Sequence, residues 1–158
     1  TPHWGKEYDP QPADKQRVLA QQLVDAGATA VLGAHPHVLQ PWEQLAAPDG
    51  RQALVLYSLG NFAHHQRSLP RRSSIIAYLG LRRGADGNAT VVGARYLPIH
   101  VRMEGDKQAF FVESIDRVGG PDDARALVVD MYWPANLIGP DDALVMAPQC
   151  DRSWPKAD

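Results

Sequence analysis

Two of the chain's six histidines stand in one tripeptide, His35-Pro36-His37, directly after a short apolar run, Thr29 to Leu32, and Gly33. A β-branched apolar run closed by glycine predicts a buried strand. In open α/β sheets, ligands bind beyond the carboxyl ends of parallel strands. Proline restricts the residue before it to extended backbone, and in extended backbone residues two apart point the same way. The tripeptide is therefore expected to aim two imidazoles at one centre. Alone, a His-Pro-His loop more often has no ligand, but His3 alters that weighing. It precedes a loop, residues 4–11, and then a predicted helix. With a strand ending just before His3, that helix becomes a crossover connection. All three imidazoles then share one sheet edge, where neighbouring strands lie ~4.8 Å apart. Three neutral imidazoles suit zinc, manganese or iron better than magnesium or calcium.

Other groups surround these. Glu7 and Asp9 share the loop of His3, where a carboxylate can orient a ligating histidine from behind; a solvated surface acid is an equally good reading. Asn61, after Gly60, can bond a ligand or hold a loop, although an asparagine bonding its own backbone in a turn is common. Arg67, Arg71 and Arg72 follow in the same loop. Arginine forks pair well with carboxylate or phosphate, so the three are candidates for guiding an anionic polymer, against the commoner use of a solvated loop. His64 and His65 read as simple loop residues, and His100 as a satisfied or surface histidine on a strand. No Walker-type loop, GxSxG elbow or dinucleotide fingerprint is present.

The elements that must position these groups are legible in outline. Residues 12–26 read as a helix, with Val18, Leu19, Leu23 and Ala26 at helical spacing and Gly27 at its end. Strands are expected at 29–32, 42–46 and 53–57, with a turn at Pro48-Asp49-Gly50. Residues 58–73 read as loop. Strands at 74–82 and 90–103 flank a hairpin loop, 84–88. Residues 109–112 and 114–118 read as one bent strand, and 122–133 as a helix. The order predicts a mixed α/β sandwich whose strands after residue 50 are mostly antiparallel. Residues 1–133 are expected to form the domain and 134–158 an irregular tail, mobile from Pro148.

Composition narrows the function classes. The chain has 158 residues, 44% of them hydrophobic and 22% charged, as in an ordinary folded domain. Sixteen Lys and Arg against eighteen Asp and Glu give a formal charge of −2, which argues against general nucleic-acid binding. No apolar run approaches the ~20 residues of a membrane-spanning helix. The lone Cys150 allows neither an internal disulfide nor a Cys-based zinc site. The chain starts at Thr1, two residues before His3, so an N-terminal part carrying the preceding strand, and any signal or anchor, is expected to be missing.

Three segments, in order and spacing, carry a family resemblance: His3-Trp4-Gly5-Lys6-Glu7-Tyr8, Gly33-Ala34-His35-Pro36-His37-Val38-Leu39-Gln40-Pro41, and Tyr57-Ser58-Leu59-Gly60-Asn61-Phe62. With the intervening helix they resemble the C-terminal half of the CapA family of capsule and poly-gamma-glutamate synthesis proteins, itself similar to the calcineurin-like metallophosphoesterases. The resemblance covers residues 1–62; the later hairpin fits it in general character only. It implies a four-layer α/β sandwich whose N-terminal half is absent, around a site for up to two metal ions. By motif, His3 corresponds to the lone histidine after a late strand, and His35 and His37 to the paired terminal histidines. Ala34 stands where the superfamily pattern has glycine. The implied activity is metal-dependent hydrolysis of a phosphoester, or of an amide in capsule polymer processing. The alternative is a non-catalytic factor for assembly, export or anchoring of an anionic polyglutamate capsule. Capsule-synthesis membrane proteins as partners, and a bacterial cell-envelope or extracytoplasmic location, follow from the same resemblance.

Overall fold

The computed structural model describes residues 1–105, 109–132, 134–140 and 142. Its first unit begins with helix α1, Asp14–Asp25, followed by strands β1 (Ala30–Leu32), β2 (Leu39–Ala46) and β3 (Gln52–Leu59). These strands form a sheet of order β1-β3-β2, parallel between β1 and β3 and antiparallel between β2 and β3. The second unit contains the helical turn α2 (Leu69–Arg72) and strands β4 (Ser73–Arg83), β5 (Ala89–Glu104) and β6 (Ala109–Ser114). The turn α3 (Ile115–Val118) and helix α4 (Asp122–Met131) follow. The second sheet, β4-β5-β6, is antiparallel throughout. The chain is thus α/β, with two sheets that are mostly antiparallel, as the element order predicts.

Strand β3 shows why the sheets stack. Ala53, Val55 and Tyr57 pack with Ala20 and Val24 of α1, whereas Leu54 and Leu56 pack with Ile75, Val91 and Tyr96 of the second sheet and Val128 of α4. A strand covered on both faces reads as an unbroken apolar run, and Ala53 to Tyr57 is one. Tyr132, just beyond α4, locks the layers by donating its hydroxyl to the carbonyls of Gln40 at 2.8 Å and Ser58 at 3.4 Å. Burial there pushes its hydroxyl pKa far up, and burial raises that of Tyr96 to about 12.

Four expectations change. The buried face of α1 is Gln16, Ala20 and Val24; Val18 and Leu19 are 58% and 41% exposed, and Ala26 is exposed. The i, i+4 row is selected because Gln16 finds a buried polar partner, described below. Residues 115–118 are a helical turn rather than the end of a bent strand, and 69–72 form a helical turn inside the expected loop. Strand β2 starts at Leu39, three residues earlier than its apolar pattern shows, because Gln40 is buried. Beyond α4, Pro134–Asn136 form a 3-10 turn, Leu137 bridges to Tyr96, and Ile138 packs on Leu97 and Ile99. Cys150 and the tail from Pro148 lie outside the described residues.

Candidate metal centre

The site lies where β1 and the segment of His3 run side by side. His3 and Ala34 form a parallel bridge. The Trp4 amide donates to Ala34 O and the Ala34 amide to Pro2 O, both at 3.1 Å, and the Tyr8 amide donates to Pro36 O at 2.7 Å. Gly33 makes this approach sterically allowed. A Cβ there would stand 2.0 Å from the Tyr57 carbonyl oxygen and 2.5 Å from the Trp4 indole nitrogen, which itself donates to that carbonyl at 2.8 Å. The glycine read as a strand-ending turn residue is required by close packing.

Two buried glutamines hold the loop in place. Gln16 and Gln40 are 2% and 0% exposed. Gln16 Nε2 donates to Gln40 Oε1 at 2.9 Å, while its Oε1 accepts the Ala13 amide at the start of α1 at 3.0 Å. Gln40 Nε2 donates to the carbonyls of Asp9 at 2.9 Å and Gln11 at 3.1 Å. Every polar atom of the pair thus has a use, as burial demands. Gln40 lies in the same run as His35 and His37, yet nothing in its spacing marks it; a glutamine on an otherwise apolar helix row was the available signal for Gln16.

The three imidazoles gather as expected, by a different backbone route. The His3 and His35 rings are 4.5 Å apart and the His35 and His37 rings 6.3 Å. His35 is not extended: its φ is +104°, and that of His37 is +59°. Both occupy a region that costs a non-glycine residue on the order of 1–3 kcal/mol. Two left-handed residues around Pro36, rather than strand alternation, turn the rings together. His64 joins them, its ring 5.3 Å from that of His37, although the sequence reading passed over it. Its Nδ1 accepts the Gln66 amide at 3.2 Å, which places the proton of a neutral ring on Nε2.

Asn61 sets the state of His37. Its Nδ2 faces three oxygens: His37 O at 3.1 Å, Arg71 O at 3.0 Å and Gln66 Oε1 at 3.3 Å. Oδ1 is then the acceptor for His37 Nδ1, at 2.8 Å, so Nδ1 carries the proton. In the neutral ring Nε2 then carries the lone pair, and it stands 3.9 Å from Glu7 Oε1. Gly60, at φ +71°, turns the chain out of β3 so that Asn61 can reach inward.

The arginines divide. Arg71 stacks its guanidinium 3.5 Å from the Tyr8 ring centroid, beside the cluster, since Tyr8 lies 6.1 Å from His37. Arg67 is exposed. Arg72 turns to a different cavity, with His100. The structure therefore does not gather Arg67, Arg71 and Arg72 into one patch. Asp9 serves as a structural turn, its Oδ1 accepting the Gln11 amide at 3.0 Å.

In kind, the donors suit a transition-metal ion: three imidazoles, one of them held from behind at Nδ1 by Asn61, with the Glu7 carboxylate on the Nε2 side rather than behind the ring. In number they fall short. Among the described residues no group of three or more His, Cys, Asp or Glu is arranged to hold an ion. His3, His35 and His37 by themselves would be an incomplete donor set.

Residues 1–66 match the family described as bacterial capsule synthesis protein PGA_cap. Over 118 residues the chain is 40% identical to the PGA biosynthesis protein CapA of Bacillus subtilis, covering 73% of this chain and 30% of that protein. It is 41% identical over 80 residues to the capsule biosynthesis protein CapA of Bacillus anthracis, covering 51% of this chain and 18% of the relative. An uncharacterized Sinorhizobium fredii protein, y4sH, is 37% identical over 68 residues, 43% of this chain and 13% of its own. The matches thus span under a third of each of these relatives. The family match covers His3, the His35/His37 pair, Asn61 and His64, and with these relatives it shows that the chain belongs to the CapA family of capsule synthesis proteins.

Proposed function

We propose that this chain acts in capsule or poly-gamma-glutamate biosynthesis and that its histidine cluster is part of a metal-dependent hydrolase centre of metallophosphoesterase type. The observation that carries the reading is the Asn61–His37 hydrogen bond, which fixes the Nδ1 side of an imidazole beside two further imidazoles. In the protein, His3, His35 and His37 would hold zinc, manganese or iron, completed by ligands outside this set, with a second ion sharing the centre. When bound, such an ion supplies a Lewis acid and lowers the pKa of water.

The chain's own residues orient and screen. Asn61 accepts the His37 proton at Nδ1, and Glu7 Oε1 stands 3.9 Å from Nε2. Arg71, over Tyr8, sets positive charge at the rim, where a phosphoester or the carboxylates of an anionic polymer would approach. The proposed setting is the bacterial cell envelope, with membrane proteins of capsule synthesis as partners. Among the described residues no helix is long and apolar enough to cross a membrane.

The test is paired. Bound metal and hydrolysis of phosphodiester and gamma-glutamyl model substrates are measured on the full-length protein and on its His35→Ala/His37→Ala variant. The reading requires metal content and turnover to fall together. Wild-type protein that binds no transition metal and cleaves neither substrate rejects it. A second reading is a non-catalytic factor that assembles, exports or anchors the polymer; the double variant would then still support capsule formation.

A further inference from the structure

A second concavity of about 720 Å3 lies between β5, β6 and the corner joining α3 to α4. None of the cluster histidines lines it. His100 and Arg102, two apart on β5, share a face, and the register sets Glu113 opposite His100. Arg102 is already engaged: its Nε donates to both Glu113 oxygens at 2.9 and 3.1 Å. Arg72 is not. Its Nη1 reaches only the Val101 carbonyl, at 3.5 Å, and its buried Nε has no hydrogen-bond partner among the described residues. His100 is 5% exposed, and its Nδ1 is likewise buried with no partner. Two buried nitrogens of residues on one cavity, the Arg72 Nε–H donor and His100 Nδ1, therefore lack a partner, and buried polar groups left so are rare.

The surrounding charge narrows the acceptor. Burial, then the charge of Arg72, lowers the His100 pKa, with Asp123 and Glu113 opposing, so the ring is neutral near pH 7. Arg72 and Arg102 face Glu113 and Asp122 on the lining, and Asp123 adds a further negative charge near His100. The N-terminus of α4, begun at Pro121, adds a partial positive charge that Asp122 and Asp123 in its first turn offset. With no positive charge to spare, the surroundings disfavour a dianionic phosphate and favour a singly charged carboxylate whose own cation can meet the acids. Donors lie at the floor with buried His100, whereas Asp122 is exposed at the mouth.

We propose that this cavity binds the carboxylate of an amino-acid-sized ligand, its oxygens accepting from Arg72 Nε and His100 Nδ1, with the ammonium of an α-amino acid facing Asp122. The planar guanidinium edge fits a carboxylate. This site stands apart from the histidine cluster, so failure of the hydrolase reading leaves it untouched.

Propionate, L-alanine and inorganic phosphate are titrated into the full-length protein while the His100 ring nitrogens are followed by NMR. Propionate and L-alanine are expected to shift His100 Nδ1 and to bind more tightly than phosphate. Arg72→Met weakens both by about tenfold or more, the loss expected for a charge-assisted hydrogen bond. Arg72→Lys, which keeps the charge without the fork, binds at an intermediate level and serves if the Met variant does not fold. Asp122→Asn removes the advantage of L-alanine over propionate and leaves propionate unchanged. An unmoved His100 signal with all three probes, tighter binding of phosphate, or unaltered affinity in a folded Arg72 variant overturns the proposal.

Discussion

Asn61 Oδ1 accepts the Nδ1 proton of His37 at 2.8 Å, while Asn61 Nδ2 donates to the His37 backbone carbonyl at 3.1 Å. One side chain thereby fixes both the tautomer and the backbone of a residue at positive φ. Asn61→Ala is expected to remove the tautomer bias, read as a change in the His37 ring-nitrogen signals. It should also lower stability by about 1–3 kcal/mol, since buried carbonyls lose their donor. If the protein holds a metal, its affinity should fall about 10–100-fold. An unchanged nitrogen spectrum would show that Asn61 does not set the tautomer.

Gly33→Ala places a methyl group inside the contact between Trp4 and Tyr57. The obstruction is backbone, which cannot rotate away, so the cost is expected at or above the ~1–3 kcal/mol usual for overpacking. Thermal unfolding reads the loss, and Trp4 fluorescence reads displacement of the indole.

The glutamine pair predicts a coupling. Gln16→Leu and Gln40→Leu should each destabilise by about 1–3 kcal/mol, through unpaired partners in the helix start and the 9–11 loop. The double variant should cost less than their sum, by about 0.5–3 kcal/mol in a double-mutant cycle. Additive losses would mean that the two side chains act separately.

Acid should weaken the fold through His100. Its folded pKa is below the ordinary 6.5, so between the two values the unfolded chain binds the extra proton. The contribution is present in full above pH 6.5 and declines as pH falls from there toward the folded pKa. His100→Asn should flatten that part of the urea-unfolding profile against pH. An identical slope in the variant would assign the acid sensitivity elsewhere.

How much of this was written in the sequence depends on the kind of pattern involved. Val55 and its neighbours declare a doubly covered strand by an unbroken apolar run, and the His-Pro-His spacing points to the loop where the rings gather. The backbone that turns those rings was not legible, because the rule for residues before proline favours extended φ and His35 departs from it. Arg71 and Arg72 are adjacent in sequence but serve different cavities, since the helical turn α2 separates their directions. Gln16 and Gln40 are 24 residues apart, and a buried amide pair leaves no periodic trace. Residues 115–118 carry the β-branched Ile115 and Val118 of a strand, yet form a helical turn packed through Ile115.

The positive φ angles of His35 and His37 set two demands against each other. Glycine would adopt that backbone without strain, so His35→Gly is the rare change that can relax the main chain while deleting a functional group. A protein evolved in the laboratory for heat resistance alone would be drawn toward glycine on either side of Pro36, and would become hardier as it lost its imidazoles.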